Sequence, residues 1–170
     1  MNRARLVYLI VRATEEEDRK KTELRRASLS IGSEKDQGSV HAQPDDQARL
    51  SLRRVAVVED EDDLIPIYEY VIKSIGYKQE FVGHDGSDMV EAITTGIAHP
   101  DTIIMDYRMP NMNGLEAAQK IREVDKSVTI ILATADDSVL NTAKEMGFQT
   151  IQKPFSISKL RELLRHRASG

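Results

Sequence analysis

A chain of 170 residues with 24 basic and 28 acidic side chains has a formal charge of -4, which leaves no general basic face for nucleic acid. The absence of Cys excludes disulfides, thiolate metal sites and Cys nucleophiles. Hydrophobic residues at 40% and charged residues at 31% suit a globular core, while 5% aromatics and no Trp argue against base-stacking platforms.

The charge is unevenly spread. Residues 1–54 hold 12 basic and 9 acidic residues, net +3; residues 55–170 hold 12 and 19, net -7. The apolar run at residues 6–11 ends at Arg12. It is far short of the roughly 20 residues of a membrane span and lacks the cleavage site of an export signal. The expectation is a cytoplasmic chain with no membrane segment. Residues 15–26 are charge-dense, with Leu24 the only large apolar residue, and suit an exposed helix. Residues 32–49 are polar and rich in turn formers, as in a linker. We therefore expect an N-terminal extension and polar linker over residues 1–50, largely disordered, and one domain over residues 51–170.

Within that domain strand and helix signals alternate. Residues 55–58 are a short β-branched run, as in a strand buried on both faces. Residues 63–76 place Leu64, Ile67, Tyr68, Val71 and Ile75 at helical spacing, with Pro66 in the first turn and Gly76 at the end. Residues 80–82 predict a second strand. Asp85-Gly86 is a turn and Ser87 the expected cap of a helix over residues 89–95. Residues 102–105 predict a third strand. Asn113 is the expected cap of a helix with Leu115, Ala118, Ile121 and Val124 inward. Residues 128–132 predict a fourth strand, 136–146 a helix ended by Gly147, and 150–152 a fifth strand. Ser156 is the expected cap of a last helix carrying Ile157, Leu160, Leu163 and Leu164. Five such alternations predict a parallel sheet covered by helices on both faces. Ligands in such sheets sit beyond the carboxyl ends of the strands.

The residues at those ends are Glu59 and Asp60 after strand one, Asp106 after strand three, Thr134 after strand four and Lys153 after strand five. Neighbouring carboxylates repel and raise one another's pKa, and a divalent cation relieves this. Oxygen donors alone select a hard ion, Mg2+ first, with Mn2+ as a substitute. His41, His84, His99 and His166 have no metal-ligand spacing. Glu61, Asp62 and Asp63 read as helix-start acids.

The stretch V-A-V-V-E-D-E at 55–61, the D-x-x-M-P-x-M-N-G segment opening at Asp106, Ala133-Thr134-Ala135 and Lys153-Pro154-Phe155 resemble the receiver domain of two-component response regulators. The resemblance covers residues 53–167. It implies a three-layer α/β/α, flavodoxin-like, doubly wound five-stranded parallel sheet of strand order 2-1-3-4-5. It further implies that Asp106 is the phosphoacceptor, taking a phosphoryl group from a sensor histidine kinase or a phosphotransfer protein. Glu59, Asp60, Asp106 and the backbone carbonyl of Arg108 would hold Mg2+. Thr134, Ala135 and Lys153 correspond to the phosphoryl-binding and switch positions. Pro154 is a candidate for a cis peptide bond. Glu59 stands where Asp is commoner, and Thr150 stands at a switch position that often carries an aromatic ring.

Such a protein is a switch with self-catalysed phosphorylation and dephosphorylation, not a turnover enzyme. With no further module after Arg167, output is expected through a partner protein docking near helix four, strand five and helix five, or through a homodimer there. The rival is a pseudo-receiver of the same fold that works as a phosphorylation-independent interaction module; a missing Asp, Thr or Lys would favour it, and all three are present. An aspartyl phosphatase would carry Asp-x-Asp after the first strand, and flavin binding would need a phosphate-cradling loop there.

Overall fold

Each short apolar run forms one strand of a parallel sheet, and the helices between them run back over its faces. The computed structural model describes residues 53–165, together with residues 19, 20 and 22–24. The chain divides into two units, Met1–Asp46 and Gln47–Gly170. In the first, the described residues are helical and exposed, with Arg19 and Glu23 3.9 Å apart one turn on. The expected disorder of residues 1–50 otherwise lies outside the described residues.

The second unit runs β1 (Arg54–Val58), α1 (Ile65–Ser74), β2 (Lys78–Gly83), α2 (Gly86–Thr94), β3 (Thr102–Asp106), α3 (Gly114–Val124), β4 (Thr129–Thr134), α4 (Asp137–Glu145), β5 (Gln149–Gln152) and α5 (Ile157–Arg165). The strand order is β2-β1-β3-β4-β5, all neighbours parallel. This is the order the resemblance implied. The chain winds outward from β1 to β2 and then starts again at β3, so the crevice between β1 and β3 is the switch point of the topology.

The two-residue period of the strands sorts the core. Ala56, Val58, Ile103, Met105, Ile130 and Leu132 face a layer made by α2, α3 and Ala143 of α4. Val55, Val57, Ile104, Ile131, Ala133 and Ile151 face the opposite layer, made by α1 and α5. Burying one large aliphatic side chain contributes about 1.5–3 kcal/mol, so this two-sided apolar sheet is the main source of stability.

Three local expectations are corrected. Helix α1 begins at Ile65, not at Asp63, because residues 62–64 form a turn and Leu64 holds the cap position without a side-chain bond. Helix α2 is capped by Asp85, not Ser87. The Asp85 side chain accepts from the Ser87 amide, and the Asp88 side chain accepts from the Asp85 amide, which makes a reciprocal capping box. Val124 is 56% exposed rather than inward. It is the last residue of α3, where the chain leaves the helix at Asp125, and Ala117, Ala118 and Ile121 supply the buried stripe. The other caps hold: Asn113 accepts from the Glu116 amide at 3.0 Å, and Ser156 Oγ from the Lys159 amide at 3.1 Å. Gly76 and Gly147 end their helices with φ of 79° and 77°, a conformation that favours glycine.

Candidate functional site

Strand register brings the chemistry together. Val58 pairs with Met105, so Glu59 and Asp106 follow side by side. Asp106 pairs with Ala133, which puts Thr134 one residue beyond it. Thr134 pairs with Gln152, so Lys153 comes next. Backbone bonds prolong the ladder past the strands: the Glu59 amide donates to Gly83, Tyr107 to Ala133 and Lys153 to Thr134, at 2.8–3.0 Å. Strand parity then divides the side chains. Glu59, Asp106 and Lys153 continue the rows that face α1 and α5, and Thr134 continues the row that faces α4.

Glu59 and Asp106 are 1% and 6% exposed, unusual burial for carboxylates. Lys153 compensates both. Its ammonium lies 2.9 Å from Glu59 Oε2 and 2.5 Å from Asp106 Oδ1. The Arg108 amide donates to Asp106 Oδ2 at 2.7 Å. Tyr68 Oη, on α1, donates to Glu59 Oε2 at 3.2 Å, and the Glu61 amide lies 3.4 Å from Oε1. Burial pushes the Glu59 carboxyl above its ordinary value, and Lys153 offsets only part of this. Burial works downward on Lys153, but the hydrogen bonds to Asp106 and Glu59 outweigh it and hold the ammonium's pKa above the usual value. Both directions favour the protonated form: the Lys153 ammonium keeps its charge, and the Glu59 carboxylate takes up a proton more readily than an ordinary one. The contacts are those of a charged cluster, one ammonium between two carboxylates. Burial, followed by the Glu59 and Asp106 charges, pushes Tyr68 well above the usual phenol range, so it stays a donor.

One carboxylate oxygen each from Glu59, Asp60 and Asp106 lie within 4.8 Å of one another. Asp60 is exposed, which opens the cluster to solvent on one side. An all-oxygen, acidic, half-open set fits a hard divalent cation that keeps several waters. Thr134 is 2% exposed, and its Oγ1 accepts from the Asp136 amide at 3.1 Å. Ala135 is exposed beside it. Asp136 caps α4, and its carboxyl is held down first by Ser138 and last by the charge of Arg108. Thr150, half-buried on β5, pairs with Leu132. The Lys153–Pro154 peptide is cis.

Two residues escaped the sequence reading. Tyr68 reads there only as a core position, since helical spacing cannot show where a hydroxyl points. Asp85 reads as a turn, but it clamps the loop after β3. It is 6% exposed and accepts from the Ser87 amide and hydroxyl and from the Asn111 and Met112 amides. Burial works to raise its pKa, but these bonds prevail and hold it at about 2. The Asp-x-x-Asp spacing of a capping box was the available signal.

The family model for the response regulator receiver domain matches residues 55–165, about two thirds of the chain. The chain belongs to this family. Solved receiver structures agree in fold. The response regulator domain of Thermotoga maritima CheB is 28% identical, with a TM-score of 0.56 over 66% of this chain and 90% of that one. The Thermotoga maritima response regulator TrrA, in complex with Mg2+ and a beryllium fluoride, is 25% identical, with a TM-score of 0.60 over 67% and 97%. The CheY of a CheX-CheY-BeF3-Mg2+ complex from Borrelia burgdorferi is 22% identical, with a TM-score of 0.61 over 66% and 86%. The receiver domain of this chain thus places Glu59, Asp60, Asp106, Thr134 and Lys153 along one edge of the sheet.

Proposed function

We propose that this receiver domain accepts a phosphoryl group on Asp106 from a sensor histidine kinase or a phosphotransfer protein and thereby switches a partner. The observation that carries this reading is the position of Asp106. Its carboxylate is buried beside a metal-fitting acidic pair and lies 2.5 Å from a lysine ammonium.

A carboxylate oxygen of Asp106 attacks phosphorus while the bond from phosphorus to the donor breaks, and the donor leaves with that bonding pair. Glu59, Asp60, Asp106 and the Arg108 carbonyl would hold Mg2+, which when bound offsets the charge that gathers on the phosphoryl oxygens. Lys153 exchanges part of its pairing with Asp106 for the new phosphoryl oxygens. Thr134 donates its hydroxyl to the same group and draws the β4–α4 loop after it, with Ala135 next to the entering oxygens. Thr150 has no ring to swing, so Thr134 carries the switch without an aromatic partner. Water attack at phosphorus breaks its bond to the Asp106 oxygen, which leaves as the free carboxylate while inorganic phosphate departs, and the protein completes its cycle as a switch rather than a turnover enzyme.

Output runs through α4, β5 and α5, by docking of a partner protein or by homodimerisation on that face. Residues 51–170 act as the domain and residues 1–50 as its extension. The protein's site of action in this reading is the cytoplasm; separately, among the described residues no helix is long and apolar enough to cross a membrane.

Acetyl phosphate and beryllofluoride with Mg2+ test the reading. Mass spectrometry should find one phosphoryl group on the wild type and none on Asp106→Asn. Thr134→Ala should still label but lose the shifts of α4 and β5 amide resonances. Absence of labelling and of beryllofluoride binding would overturn the proposal in favour of a pseudo-receiver.

A further inference from the structure

Tyr68 is 2% exposed, yet its hydroxyl reaches 3.2 Å across to Glu59 Oε2. The same oxygen receives Lys153 at 2.9 Å. The Tyr68 ring lies 6.1 Å from that of Phe155, tilted by 48°. Phe155 follows Lys153 and Pro154 directly. One side chain on α1 therefore touches both the acidic residue after β1 and the loop that carries the lysine after β5.

We propose that Tyr68 is a positioning residue for the metal site, its hydroxyl holding the Glu59 carboxylate in the orientation from which it binds a divalent cation. The inference rests on the metal reading given above. Glutamate has three rotatable side-chain bonds, and freezing them on binding a cation opposes affinity. A donor that orients the carboxylate beforehand removes part of that loss. Of the two side-chain donors on Oε2, Lys153 carries a positive charge and competes with a cation for the carboxylate. The phenol is neutral and does not. Hydrogen-bond partners behind a ligand commonly govern metal affinity in this way. The length of Glu59 matters too. An aspartate, one carbon shorter, would withdraw the carboxylate from a 3.2 Å contact.

The test uses the full chain and Mg2+ alone, titrated by calorimetry and by amide chemical shifts. Tyr68→Phe keeps the ring and its packing and should weaken Mg2+ binding about tenfold. In a Glu59→Asp background the same change should add nothing, because the hydroxyl has already lost its acceptor. An equal Mg2+ affinity in wild type and Tyr68→Phe overturns the inference while leaving the functional reading intact. So does an undiminished effect of Tyr68→Phe in the Glu59→Asp background, which would mean that the ring acts through packing. A wild type that binds no Mg2+ overturns both. A measurement on the unaltered protein guards against a variant that fails to fold. The Tyr68 hydroxyl proton should exchange slowly with water in metal-free protein, and its resonance should shift with the same Mg2+ midpoint as the Asp60 amide. A hydroxyl proton unmoved by Mg2+ would also overturn the inference.

Discussion

At Lys153 one ammonium serves two buried carboxylates, and its removal leaves Glu59 and Asp106 facing each other uncompensated. Losing one partner of a buried pair costs about 3–5 kcal/mol; the Lys153 side chain is 22% exposed, so water returns part of this. Lys153→Ala should lower stability by about 2 kcal/mol in urea unfolding without metal. On the proposed metal reading a divalent cation would take over the vacated role, so Mg2+ should raise the Tm of the variant more than that of the wild type. An equal or smaller rise would show that cation and ammonium do not compete for the same oxygens. Asp85 governs a separate property. Its folded pKa of about 2 lies below the ordinary carboxyl value. Its contribution is therefore present above that ordinary value and lost as pH falls through the folded one. Asp85→Ala should cost about 2 kcal/mol at pH 6 and flatten the fall in stability between pH 4 and 2, as read by urea midpoints across that range. Both residues were visible in the sequence as acids or bases at element ends. What they hold was not, because Asp85 bonds amides 26 and 27 residues away and Lys153 pairs 94 residues back along the chain.

The elements themselves were largely legible, since strands with apolar runs and helices with capping residues are set by local chemistry. The misplacements fall where that chemistry is ambiguous. Asp85 and Ser87 are both good caps, and the tie is broken by Asp88 reaching back to the Asp85 amide. Val124 keeps helical spacing but falls at the end of α3. One close approach at element scale could not have been anticipated. A Cβ on Gly114, the first residue of α3, would lie 2.1 Å from the Asp106 carbonyl oxygen. Helix α3 can start against the end of β3 only because that atom is missing. Gly114→Ala must push helix and strand apart. We expect a loss of about 3 kcal/mol or more by chemical denaturation, with a weaker Mg2+ affinity because Asp106 moves. Asn113→Ala, one residue earlier, removes only the cap and should cost about 1 kcal/mol with Mg2+ affinity unchanged.

For the whole molecule, the apolar residues on both faces of the sheet lie within residues 55–151, and their covering helices end with α5 at Arg165. A fragment of residues 51–170 should therefore fold cooperatively and bind Mg2+ and beryllofluoride with the affinity of the full chain. A fragment that unfolds or loses that affinity would give residues 1–50 a part in the domain. The sequence by itself determined the five strand-helix units, the charge change at the start of the domain and the acids, hydroxyl and lysine at the strand ends. These depend on periodicity and on residue types a few positions apart, which act before the chain is assembled. Only the tertiary structure decided how those ends meet. Parallel pairing sets Glu59 beside Asp106 and carries Lys153 to both, and packing of α1 brings the Tyr68 hydroxyl to Glu59. Those contacts join residues far apart in the chain: a local period tells which face a side chain takes, but not which distant group it meets there.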